Sequence, residues 1–137
     1  MRMASHSRMT GKLAPLGLAA LLVLIPLAGH AAELGMLDAL NKGAWSLRIR
    51  DDGSEQRICV RDGRELIQIQ HKQPGCSRFV VQDEANEVVV QYTCRGNGYG
   101  RTSIRREGNG LVQVESQGII DGAPFSISGE ARHSGSC

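Results

Sequence analysis

The chain has 137 residues, with 16 Lys and Arg against 14 Asp and Glu, four cysteines, and only one Trp, two Tyr and two Phe. That length suits one domain, and so few aromatics make any core small and mainly aliphatic. The formal charge is +2, but Arg2, Arg8 and Lys12 all precede an apolar run; without residues 1–31 the balance is 13 bases against 14 acids, a charge of −1, which gives no support for nucleic-acid binding.

Those three bases lead into LAPLGLAALLVLIPLAG and then small residues at Gly29, Ala31 and Ala32, the layout of a secretory signal peptide. The run over 13–29 falls short of the ~20 uninterrupted apolar residues that a membrane span needs, and Pro15 and Pro26 break it. Gly29-His30-Ala31 is a small-x-small site that places the cut after Ala31. Residues 1–31 are therefore expected to be removed, leaving 32–137 as one periplasmic domain with no transmembrane segment after processing. All four cysteines lie in that part, as an oxidising compartment favours.

Residues 33–41 place Leu34, Met36, Leu37 and Leu40 at near-helical spacing, and Gly43 stands where such a helix stops. From Trp45 the period becomes two, with Trp45, Leu47 and Ile49 alternating with Ser46, Arg48 and Arg50, which predicts a half-buried strand. Asp52-Gly53 reads as a two-residue hairpin turn, setting Trp45 opposite Val60, Leu47 opposite Ile58 and Ile49 opposite Gln56. Asp62 followed by Glu65 has capping-box spacing, and Leu66, Ile67 and Ile69 predict a second short helix before Pro74-Gly75. The stretch CSRFVVQDEANEVVVQYTC over 76–94 predicts a hairpin centred on Ala85, with Val80 opposite Val90 and Gln82 opposite Val88. The same register sets Cys76 opposite Cys94. Alternation then resumes over 101–106, and the turn 107–110 leads to Val112 and Val114. A last two-residue turn at Asp121-Gly122 sets Val114 opposite Gly129, Ser116 opposite Ile127 and Val112 opposite Ala131.

Successive hairpins of this kind predict a mainly β domain: a single small antiparallel meander, a strongly curved sheet or partly closed barrel, with one or two short helices and two disulfides. Cross-strand neighbours have Cβ atoms about 4.5–5.5 Å apart, near the reach of a disulfide, so the register selects Cys76–Cys94 and leaves Cys59 for Cys137. Gly43-Ala44-Trp45, Cys59-Val60, Cys76, Tyr92-Thr93-Cys94 and the ending ARHSGSC together resemble the exported bacterial family catalogued as domain of unknown function 3617. The resemblance implies a periplasmic, disulfide-bonded, mainly β domain and carries no catalytic residue across. Ser46 departs from the acidic residue that frequently follows the tryptophan in that family.

Candidate chemistry is sparse. His71 and His133 are the only histidines after residue 31, with too few neighbouring ligands for a metal, and no Cys-x-x-Cys or nucleophile elbow occurs. No catalytic, metal or cofactor residue is assigned. Gly96-Asn97-Gly98-Tyr99-Gly100-Arg101 has the glycines of a phosphate cradle but links two predicted strands, so it reads as a turn. Arg101, Arg105 and Arg106, with Arg48 and Arg50, are the candidate basic stripe for an anionic partner, against the plainer reading of a solvated face. The favoured function is non-catalytic binding of an envelope protein, glycan or small amphiphile through a sheet face or barrel mouth. The alternative is a small hydrolase or transferase whose site is assembled from residues distant in sequence.

Overall fold

The computed structural model describes residues 33–137, so the expected signal peptide over 1–31 lies outside the described residues. Seven strands form one antiparallel sheet: β1 (Gly43–Ile49), β2 (Glu55–Val60), β3 (Ser77–Asp83), β4 (Glu87–Cys94), β5 (Gly98–Gly108), β6 (Leu111–Ile120) and β7 (Ala123–Gly135). Their order is β2-β1-β7-β6-β5-β4-β3, a meander from β3 to β7 onto which the β1–β2 hairpin adds by pairing β1 with β7. The outermost strands β2 and β3 do not pair, so no barrel closes. Residues 56–59 of β2 and Arg78 of β3 nevertheless line a common cleft. The sheet is thus strongly curved, and its two edges approach across the segment 61–76.

Alternation decides which face is buried. Trp45, Leu47, Val60, Val88, Val90, Tyr92, Ile104, Val112, Val114 and Ala131 are buried on the concave face, with Ile49, Ile58 and Ile127 packed at its margin. Two short pieces fill the hollow. The first is α1 (Gly35–Asp38), one turn carrying Met36 and Leu37 inward. The second is the strap 61–76, which buries Leu66, Ile67, Ile69 and His71. Both disulfides form as the register predicts, Cys76–Cys94 and Cys59–Cys137. Among the described residues no helix is long and apolar enough to cross a membrane.

Five local expectations are corrected. The helix over 33–41 shrinks to α1, because Leu34 is left-handed (φ 64°) and Asn41 N–H donates to the Asn109 carbonyl; Gly43 is not a helix stop but opens β1. A Cβ on Gly43 would lie 2.2 Å from the Gly135 carbonyl oxygen, which is why β1 and β7 approach so closely there. The strap forms a single 3-10 turn, Arg64–Leu66. Its capping box is built, with Glu65 accepting from the Arg61 and Asp62 amides and Asp62 from the Arg64 amide. A helix does not propagate, because Ile67, Ile69 and His71 go inward at a period of two.

The first hairpin pairs Trp45 with Ile58 and Leu47 with Gln56, not with Val60 and Ile58. Asp52 accepts from both the amide and hydroxyl of Ser54, widening the connection to residues 50–53. The β3–β4 hairpin keeps Val80 opposite Val90 but carries a bulge at Val81, so Gln82 faces Val89 instead of Val88. Finally, β5 starts at Gly98, three residues before the predicted alternation begins at Arg101, leaving only 95–97 as the turn.

Candidate functional site

The two histidines lie at opposite margins of the core, and each is held structurally. His71 is completely buried between the strap and the sheet; its Nε2 is 3.1 Å from the Ile119 carbonyl and its Nδ1 is 2.9 Å from the Tyr92 hydroxyl. A carbonyl only accepts, so Nε2 carries the hydrogen and Nδ1 accepts from Tyr92. The rings of His71 and Tyr92 meet edge to face at 5.2 Å. Burial raises the Tyr92 phenol above its ordinary pKa, the neighbouring Ser116 hydroxyl offsetting part of that, so it stays a donor at neutral pH. Deeper in, Thr102 Oγ1 donates to the Ile67 carbonyl and pairs with Ser116 Oγ at 2.7 Å. His133 Nε2 donates to the Lys42 carbonyl, 3.1 Å away, and its ring lies edge-on to Trp45.

These bonds fasten the strap to the sheet from inside. Tyr92→Phe should therefore lower stability by about 1–3 kcal/mol, since His71 Nδ1 would be left buried without a donor. Urea unfolding measures this, and a change near zero would mean that water reaches the ring.

The cleft between β2, the strap and β3 has a volume of about 520 Å³. Several of its polar side chains are engaged within the protein, while those of Gln56 and Lys72 enter none of the hydrogen bonds or ion pairs among the described residues. Arg64 bonds Asp38 at 2.6 Å, Arg78 donates to Gln68, and the Gln68 amide donates to the His71 and Gln73 carbonyls. Arg64 holds the Asp38 carboxyl below its usual range. Among the described residues no group of three or more His, Cys, Asp or Glu stands where a metal ion would sit.

On the convex face, the register turns the arginines into something other than a stripe. Glu87, Arg105, Gln113, Glu130, Arg48 and Glu55 are direct opposites across six strands, a row in which acid and base alternate about one neutral amide. Arg48 pairs with Glu55 at 3.4 Å and Arg105 with Glu107 at 3.1 Å. Arg50 bonds Ser128 and Gln113. Glu130 sits below the usual carboxylate range because Arg132 and then Gln113 donate to it. Arg106 turns to the hairpin ends and bonds Asn86 and Asn109. Four of the five predicted arginines are thus partnered, and the strands β6 and β7, with Glu115 and Glu130, separate the β1 pair from the β5 group.

Arg101 is the exception. It lies in a second row, Phe79, Gln91, Arg101, Gln117 and Ser126, beside a third, Ser77, Thr93, Tyr99, Ile119 and Pro124. Here the large apolar rings are outside: Phe79 is 69% exposed and Tyr99 50%. Among the described residues, the side chains of Gln91, Thr93, Arg101 and Gln117 enter none of the hydrogen bonds or ion pairs that tie up the polar groups elsewhere on this face. Gln91, Tyr99, Arg101, Gln117, Ile119 and Phe125 line a shallow cavity of about 410 Å³, within the range of ligand sites.

The sequence singled out Arg101 but missed its neighbours Phe79, Gln91, Tyr99 and Gln117. Once the registers are set, the parity of the numbers from Phe79 to Gln117 puts all of them on one face. The run 96–101, by contrast, is the end of the 95–97 turn and the first four residues of β5, leading into a strand and not a helix N-terminus. No known protein family matches the chain, and neither does any curated protein or solved structure.

Proposed function

We propose that the chain is an exported, disulfide-stapled binding domain of the bacterial envelope that engages its partner through the convex face of the sheet near Tyr99 and Arg101. The observation that carries this reading is the contrast between the two faces. The concave side is filled by α1 and the strap, and its polar groups bond one another, whereas the convex side exposes two rings beside polar side chains that have no internal partner. A barrel mouth is thereby removed from the two modes of binding considered at the outset. Export rests on the basic lead, the short apolar run and the small-x-small site, and the two disulfides are compatible with an oxidising compartment. The resemblance of the cysteine and tryptophan landmarks to the exported family of unknown function points the same way.

Two measurements test it. Intact mass of the protein recovered from the periplasm should correspond to a chain starting at Ala32; a retained Met1 would overturn export. Isotope-labelled protein mixed with soluble envelope extract should show signal broadening at Phe79, Gln91, Tyr99, Arg101 and Gln117. Broadening centred on Gln68 and Lys72 beside the cleft, with turnover of an ester or glycoside substrate, would instead establish the hydrolase or transferase reading.

A further inference from the structure

The chemistry of the convex patch narrows the partner. An aromatic ring offers an electron-rich face, which attracts the C–H-bearing face of a sugar ring as it attracts the edge of another aromatic. Phe79 and Tyr99 sit two strands and two residues apart, roughly 12 Å by sheet spacing. They are too far apart to clamp one small molecule between them and well placed to stack on separate units of one chain. Between and beside them stand Gln91, Thr93 and Gln117, neutral groups that both donate and accept, as sugar hydroxyls require. Arg101 adds a base to the cluster, a planar fork suited to bidentate bonding of a carboxylate, with Glu115 one cross-strand pair further along the same face.

A peptide partner would be held differently, by backbone pairing along a sheet edge. Most of this patch, Gln91, Thr93, Tyr99, Arg101 and Gln117, lies over β4 to β6, where the backbone groups are already paired on both sides, and only Phe79 stands on the edge strand β3. A lipid surface would select a broad apolar face with several bases, and here one base stands among amides. We propose, resting on the binding reading above, that the patch around Tyr99 and Arg101 is a glycan site, and that it takes an extended oligosaccharide whose sugars carry carboxylate groups.

Titration of the isotope-labelled protein with three probes tests this: an oligogalacturonate hexamer, a neutral glucose hexamer and a short poly-glutamate. The galacturonate should shift the signals of Gln91, Tyr99, Arg101 and Gln117 and bind more tightly than either control. Tyr99→Ala should weaken it about tenfold, the loss of one ring contact. Arg101→Gln should reduce it to the level of the neutral sugar, and Phe79→Ala should weaken long oligosaccharides more than short ones. These side chains are already 50% exposed or more at the two rings, so the fold should persist, as far-UV circular dichroism would verify. Equal binding of poly-glutamate with no effect of Tyr99→Ala would overturn the proposal in favour of simple charge attraction. Equal binding of the neutral sugar would overturn the carboxylate assignment. If no sugar binds while envelope extract still broadens the same signals, the glycan site fails and the binding face stands. If the extract also leaves the patch unchanged, both fail.

Discussion

Trp45→Ala is expected to lower the unfolding free energy by about 3–5 kcal/mol, the range for deleting a fully buried large aromatic. The ring has no exposed surface and lies on β1 between Ile58 of β2 and His133 of β7. Its indole Nε1 donates to the Asn41 carbonyl at 2.8 Å, and the His133 ring meets it edge to face at 6.0 Å. Truncation removes the apolar contact, opens a cavity in a core with few aromatics, and leaves the Asn41 carbonyl without its donor. Against a net stability of about 5–10 kcal/mol for a domain this size, that is close to half. Far-UV circular dichroism in urea reads it, since the mutation removes the fluorophore. Phe79→Ala, on the convex face, should change stability by no more than about 0.5 kcal/mol. Equal effects at the two positions would contradict the assignment of faces.

Removing the Cys59–Cys137 bond should have an effect of similar size. The bond closes a stretch with a sequence separation of 78, against 18 for Cys76–Cys94. The chain-entropy model assigns rather over 4 kcal/mol to the longer loop and about 3 kcal/mol to the shorter. The native state also loses a fastening. Beyond Gly135 the chain has left β7, and among the described residues the one hydrogen bond that still holds it near β2 is a 3.5 Å bond from Arg57 to the Ser136 carbonyl. The double substitution Cys59→Ser with Cys137→Ser should therefore lower the thermal midpoint more than Cys76→Ser with Cys94→Ser. The reverse order would show that the β3–β4 hairpin depends on its own staple more than chain entropy predicts.

The difference between what was legible and what was not has a physical cause. Side-chain parity depends only on alternation, so the first hairpin's face assignment survives although its register is off by two. Trp45, Leu47, Ile58 and Val60 share the concave face under either pairing. The β6–β7 register is as expected, since Asp121 (φ 49°) and Gly122 (φ 80°) take the left-handed conformations of a two-residue turn. What escaped were effects without a periodic signature. The bulge at Val81 is one, and the Asp52–Ser54 bonds that enlarge the first turn are another. The strap has the capping residues of a helix, but the concave face selects a path of successive tight turns that lowers Ile67, Ile69 and His71 into it. The convex patch was hidden for a similar reason: its rings and amides come from β3, β4, β5 and β6, and only the assembled registers bring them into adjacent rows.

The pairing of β1 with β7 also governs the order of assembly. Leu47 lies against Ala131 and Trp45 against His133, contacts that join the first strand to the last. Five of the six strand pairings are hairpins between neighbours in sequence, and these can form as soon as their own residues are present. The β1–β2 hairpin has no place to dock until β7 exists. Folding is therefore expected to proceed from the middle of the chain, with Cys76–Cys94 oxidised inside a local hairpin and Cys59–Cys137 oxidised last. Closing so distant a contact slows the final step. A chain lacking its last strand would hold Trp45 exposed and Cys59 as a free thiol, a form that thiol labelling during refolding would capture.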